Sequence, residues 1–316
     1  MIPLDGIFNI FEKRLYQKDS KPILPQIFVC GPPRSGTTLV AQTLIKYLPV
    51  YYFNNLTSIF PNSPIIANKV FRRFNITKNK SLLIKSFYGR TYGIWEPNDA
   101  LYLWDRWTGV DRDLIPKSIS PQNERKMVSF FAAVEKYSNK PLLNKNNKLN
   151  TYAHLVSNAM DTAYFICLDR DPVYLAQSLL IARRFIHDDD SVPYGVKFNF
   201  PKKVRKGDGI DPIKHVSNSV IRHKEMMVKQ QNLIGEKRFI IIPYEDFCRE
   251  PAKWVNIISE KVLGASLDVQ KLKEELKPYP VSNKIKLDIT EFNQINKNLE
   301  HLKMSYDQRE KQRTVE

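Results

Sequence analysis

Residues 31–38 read GPPRSGTT, between an apolar run and a helical pattern, and their types suit the gripping of a phosphate or sulfate. Gly31 and Gly36 have the spacing of the phosphate-binding pattern G-x-x-x-x-G-K-[ST], but Thr37 stands in the lysine position. In the usual pattern that lysine reaches the outer phosphates of a triphosphate, and the next Ser or Thr holds magnesium. Here Arg34 supplies the cation from inside the loop, as a planar fork suited to anionic oxygens, and Ser35, Thr37 and Thr38 add hydroxyl donors. Such a loop suits a less highly charged ligand held without a metal. The bland alternative is a glycine-rich turn before a helix.

Two further groups carry chemistry. In LDRDPVYLAQSLL (168–180), Arg170 closes an apolar run, where an unpaired guanidinium is costly, and Ser178 lies two helical turns on. Pairing of Arg170 with Asp169 or Asp171, leaving Ser178 merely exposed, is the other reading. In GIWEPNDALYLWDRW (93–107), Glu96 and Asp99 stand three apart among aromatic residues that would raise a carboxylate's pKa and bind a ring, so either is a candidate base. Against that, the pair is an acidic first helical turn with Trp104 and Trp107 facing the core. His154 is an alternative base, or a structural histidine on a helix.

The elements that must position these residues alternate. QIFVCG (26–31) and AYFICLDR (163–170) read as buried strands, RFIIIPYEDF (238–247) as another, and PLLNK (141–145) as a fourth. Helical patterns cover 37–48, 122–137, 152–160, 173–185, 212–233 and 251–264, and Asp171 followed by Pro172 is a helix start. Strands alternating with helices imply α/β: a three-layer α/β/α arrangement with a central parallel sheet of the P-loop nucleotide-binding type. Residues 1–316 read as a single domain, with 265–316 as a tail whose packing the sequence leaves open.

The chain has 316 residues, enough for a substantial core, and a net charge of +16 from 49 Lys plus Arg against 33 Asp plus Glu. Residues 265–316 hold 10 basic and 9 acidic residues, so the excess lies in the body. It includes Lys197, Lys202, Lys203, Arg205 and Lys206, a solvated loop or an anion-binding patch. The three cysteines, Cys30, Cys167 and Cys248, sit in or beside apolar runs, which suits reduced thiols in a reducing compartment. No secretory signal, run of eighteen apolar residues or metal-ligand spacing is present, so a soluble cytoplasmic protein without a metal is expected.

PRSGTT after an apolar strand resembles the loop that grips the 5'-phosphosulfate in sulfotransferases using 3'-phosphoadenosine 5'-phosphosulfate (PAPS), and R-D-P-x-x-x-x-x-S resembles their 3'-phosphate signature. RFIIIPYEDFCREP (238–251) is similar to the family's Y-E-D-x-x-x-x-P segment, so the resemblance spans about 24–264. It implies that Arg34, Ser35, Gly36, Thr37, Thr38, Arg170 and Ser178 bind PAPS as sulfuryl donor. By the same resemblance Lys145 is a strand-end catalytic lysine, against a solvated loop lysine beside Lys148, and an acidic residue near Glu96 and Asp99 is the base. The acceptor would be a hydroxyl or amine of a glycan, lipid or small metabolite. The string RKG (205–207) precedes the Y-E-D segment, whereas the family's nucleotide-closing R-K-G follows it. The closing contact then falls to the tail, with Lys284 and Lys286 as candidates. A P-loop kinase that has lost its lysine, a basic nucleic-acid-binding protein and a silent relative are the alternatives. A nucleic-acid partner is not expected, because the aromatics are scattered and no known module is apparent.

Overall fold

The computed structural model describes residues 3–17, 19–73, 91–111, 113–196, 198 and 211–313. The basic cluster of Lys197, Lys202, Lys203, Arg205 and Lys206, with the RKG string, lies outside the described residues.

The chain opens with α1 (Pro3–Lys13), then β1 (Gln26–Cys30), the glycine-rich loop and α2 (Thr37–Tyr47). The short β2 (Tyr51–Tyr52) is followed by α3 (Asn55–Ile59), α4 (Pro64–Arg73), α5 (Leu101–Thr108) and α6 (Pro121–Ser138). Next come β3 (Leu142–Lys145), α7 (Leu149–Ala159), β4 (Ala163–Asp169) and α8 (Pro172–His187). After α9 (Pro212–Ile234) and β5 (Phe239–Pro243) lie α10 (Tyr244–Arg249) and α11 (Pro251–Ile258), whose end widens into a π-helical turn (Ser259–Leu263). The chain closes with α12 (Val269–Glu275) and α13 (Ile289–Arg313).

All five strands are parallel, in the order β2-β3-β1-β4-β5. Because alternate residues point to opposite faces, each strand feeds two cores. Phe28, Cys30, Phe165, Cys167 and Phe239 join the aromatic core beneath α5, α6 and α7. Ile27, Val29, Leu143, Ile166, Leu168 and Ile242 meet α2, α11 and α12 on the other face. This is the expected three-layer arrangement. The chain reverses direction across the sheet between β1 and β4, so ligands are expected beyond the carboxyl ends of those strands.

One expected strand is cut short. RFIIIPYEDF continues only to Pro243, and Tyr244 starts α10, because Glu245 and Asp246 favour the electropositive first turn of a helix. The tail is also packed rather than trailing. Leu272 and Leu276 enter the α2-side core, and Ile295 and Leu299 from α13 pack against α8 and α9.

Candidate active site

The glycine-rich loop turns sharply at the end of β1. A Cβ on Gly31, at φ +139°, would stand 2.8 Å from the carbonyl oxygen of Leu168, so the loop lies hard against β4. Arg34 (φ +73°) and Gly36 (φ +98°) are both left-handed, which turns successive N–H groups into a concave, anion-binding nest ahead of α2. Gly36 caps α2 without a side-chain hydrogen bond, so the first helical N–H groups remain available to a ligand. Beneath them the Ser35 hydroxyl is fully buried and has no hydrogen-bond partner among the described residues. Thr37 Oγ1 donates to Asn147 Oδ1 at 2.8 Å, and Thr38 is half-buried. An unsatisfied buried hydroxyl under a nest of donors fits a bound oxyanion.

The second signature meets this loop from β4. Asp171 accepts from the N–H groups of Val173 and Tyr174, with Pro172 in the first helical position, which starts α8 where the sequence expects it. Ser178 then faces the loop, and Arg34 Nε donates to its Oγ at 3.3 Å. Arg170 does not pair with its flanking aspartates: Lys224 takes Asp169 at 2.7 Å, and Asp171 is the cap. Instead Arg170 donates to the carbonyl of Arg34 at 2.8 Å, to that of Ser282 at 2.7 Å and to Asn283 Oδ1 at 3.1 Å. Its guanidinium also lies over the ring of Tyr244, 4.9 Å from the centroid. Burial lowers its pKa, the cost of withdrawing this cation from water.

Three participants have no role in the sequence reading. Tyr244 packs so closely on the loop that a Cβ on Gly36 would come within 2.4 Å of its ring. Asn283 bridges Arg170 to Glu245. Gln177, almost fully buried, donates to the carbonyl of Lys284 at 2.8 Å and accepts from the N–H groups of Lys286 and Leu287. The tail therefore packs on Arg170 and Gln177 through its main chain, while the side chains of Lys284 and Lys286 are exposed. The one local signal was Gln177 itself, an amide inside the apolar run LAQSLL.

On the opposite side of the loop, β3 ends at Lys145, in register with Val29 of β1. Lys145 is buried and forms an ion pair with Asp99 at 2.8 Å, so it is not a solvated loop lysine. Asn144 donates to the carbonyls of Asn98 and Asp99, holding that turn against the strand, and itself accepts from Trp104 Nε1. Asp99 lines a cavity of about 240 Å³ with Pro33, Leu101, Asn147, Lys148 and Tyr194. Pro33 belongs to the glycine-rich loop, so the cavity abuts it.

Glu96 is also buried, but it does not line this cavity; its carbonyl accepts from the N–H of Asn55, the first residue of α3. Trp104 and Trp107 are in the core, 0% and 4% exposed, so they offer no ring-binding surface. The helix they occupy starts at Leu101, after Ala100, and not at Asp99. His154 hydrogen-bonds Gln230 Oε1 through both its main-chain N–H and Nδ1, which ties α7 to α9 in a structural role. All three cysteines are buried and free. Among the described residues no group of His, Cys, Asp and Glu is arranged to hold a metal, and no helix is long and apolar enough to cross a membrane.

A profile of the sulfotransferase family matches residues 25–264. The fold is similar to that of a sulfotransferase from Mycobacterium avium, with a TM-score of 0.58 at 14% identity over 92% of this chain and 76% of that one. It is also similar to a sulfotransferase from Mycobacterium tuberculosis, with a TM-score of 0.51 at 11% identity over 87% of this chain and 82% of the other. At these identities the structural likeness is one of fold. No curated protein matches the sequence.

Proposed function

The chain belongs to the sulfotransferase family, and from that premise we propose that it transfers a sulfuryl group from PAPS to a hydroxyl or amine of a glycan, lipid or small metabolite. The observation that carries the donor assignment is the meeting of Arg34, Ser178 and Arg170 at the carboxyl ends of β1 and β4. A donor with one phosphate at each end of its ribose needs two anion sites, and these residues supply them. Arg34, the loop N–H groups and the hydroxyls of Ser35, Thr37 and Thr38 bind the 5'-phosphosulfate, Thr37 exchanging its bond to Asn147 for one to the ligand. Arg170 and Ser178 hold the 3'-phosphate. With Arg34 in the loop and Thr37 in the lysine position, the charge balance suits this ligand better than a triphosphate with magnesium.

PAPS supplies an activated sulfur whose bond to the 5'-phosphate oxygen breaks as the acceptor oxygen or nitrogen attacks. The electron pair of that bond passes to the phosphate, where the loop donors stabilise the added charge as it develops. Asp99 takes the acceptor's proton, since its carboxylate lines the cavity that abuts the loop. Lys145 orients that carboxylate through their ion pair. The roughly 240 Å³ cavity suits a ring-sized portion of the acceptor. Tail residues 282–287 complete the donor site, so the chain is best taken as one catalytic unit. The three free thiols support a reducing, cytoplasmic setting.

The test is thermal unfolding with 3',5'-adenosine bisphosphate. A hundredfold excess over Kd should add about 2.7 kcal/mol of stability to wild type, and Arg34→Ala or Arg170→Ala should abolish the shift. Absence of any shift in wild type would sink the proposal.

A further inference from the structure

The polarity of α1 is inverted. Its two carboxylates, Asp5 and Glu12, are fully buried, while Leu4 (47%), Ile7 (53%), Ile10 (58%) and Phe11 (49%) stand in solvent. The acids fasten the helix to the start of α4. Asp5 accepts from the N–H and amide of Asn62 and from Ser63 Oγ, and Glu12 accepts from the N–H groups of Ile65 and Ile66. At about 100° per residue, this anchorage leaves the four apolar side chains on the side turned away from the body. A surface helix normally does the reverse. Only Phe8 from the apolar set packs inward, against Phe60.

The flank of α1 between anchor and stripe borders a cavity of about 480 Å³ reaching α5 and α6. Lys13, Arg106 and Lys126 line it, over walls of Tyr16, Trp107 and Phe130, and no carboxylate does. Lys13 and Arg14 at the end of α1 are exposed, as are Lys69, Arg72 and Arg73 on the packed α4. An apolar stripe bordered by cations and by a cationic cavity is complementary to an anionic phospholipid surface. Acyl chains cover the stripe, and phosphodiester headgroups meet the lysines and arginine. A second copy of this chain would bring the same cations together.

We propose that α1 lies in the headgroup region of an anionic membrane, with a headgroup phosphate seated between Lys13, Arg106 and Lys126, so that the enzyme works as a peripheral membrane protein. Two weak signals, an apolar face and a basic patch, are what stable but reversible attachment requires. The placement stands apart from the donor and acceptor sites and does not depend on the reaction assigned to them.

The experiment is co-sedimentation of the full chain with phosphatidylcholine vesicles, with or without phosphatidylglycerol. Wild type should bind only the anionic vesicles and should be released by high salt. The double variant Ile7→Ser/Phe11→Ser should lose at least about tenfold in partitioning, and Lys13→Ala and Lys126→Ala about fivefold each. All four positions are on the surface or cavity rim, so their melting temperatures should stay near that of wild type. The salt dependence of wild type tests the proposal even if a variant misfolds. Equal binding to neutral vesicles, or none to anionic ones, overturns it. So does glycerol 1-phosphate saturating the chain in solution while vesicles stay unbound, which would make the cavity a site for a free phosphate ester. A concentration-dependent dimer that Ile7→Ser/Phe11→Ser dissociates, with no vesicle binding, would assign the stripe to a second copy instead.

Discussion

Asp99 Oδ2 and Lys145 Nζ lie 2.8 Å apart, joining the turn before α5 to the last residue of β3. Of the two acids three residues apart, this pair puts only Asp99 on the wall of the cavity beside the phosphate loop. Asp99→Asn should therefore lower kcat by about 10²- to 10⁴-fold while leaving the melting shift by 3',5'-adenosine bisphosphate intact. Glu96→Gln should change kcat by no more than about threefold, because Glu96 does not line that cavity. Steady-state kinetics on the two variants decide; a larger loss in Glu96→Gln would reverse the assignment.

Gly36 cannot carry a side chain without moving Tyr244. Its φ of +98° is unfavourable for an L residue, and the added carbon would meet the tyrosine ring at 2.4 Å. Gly36→Ala should cost about 1–3 kcal/mol in denaturant unfolding and weaken nucleotide binding. Tyr244→Ala in the same chain should relieve the steric part but not the backbone part, giving a non-additive double-mutant cycle.

Gln177 holds the tail beside Arg170 by three hydrogen bonds. Its replacement by alanine leaves two main-chain N–H groups and a carbonyl without this partner, at about 0.5–1.5 kcal/mol for each bond. Trypsin should then cut after Lys284 or Lys286 much faster than in wild type, whose lysines are exposed but whose main chain is clamped. Unchanged cleavage rates would show that Arg170 and Glu245 fix the segment without Gln177.

Burial pushes the Glu12 carboxyl up from 4.5 to about 7, against the hydrogen bonds of Ile66, Ile65 and Tyr16, which pull it down. An acid raised in this way binds more protons folded than unfolded between those values. Its contribution is complete below pH 4.5 and is lost as pH rises to about 7. Glu12→Gln removes the titration. Thermal unfolding across that window should thus show wild type losing on the order of 2–3 kcal/mol relative to the variant. His215 and His223, whose pKa values burial lowers to about 3, act in the opposite sense. They destabilise both proteins alike as pH falls below 6.5, so the difference between the two proteins isolates Glu12.

The glycine-rich loop and the start of α8 were legible in the sequence because their signals are local. An apolar run ended by glycine, a proline after an N-capping aspartate and a serine two turns on are each written within a few residues, and they place Arg34 in the loop after β1, Arg170 just past β4 and Ser178 within α8. The alternation of apolar runs likewise determined a parallel sheet covered on both faces. Other features rested on contacts between distant segments. Glu96 and Asp99 are indistinguishable by type and spacing; Asn144 and Lys145, some 45 residues on, set which of them faces the cavity. The tail reads as a polar, mixed-charge segment until Gln177 and Arg170 bind its main chain, which no side-chain pattern announces. Which way α1 turns its apolar residues is not written in residues 3–13. Only the α4 N–H groups waiting for Asp5 and Glu12 turn it over, because buried main-chain donors need acceptors more than an exposed leucine needs cover.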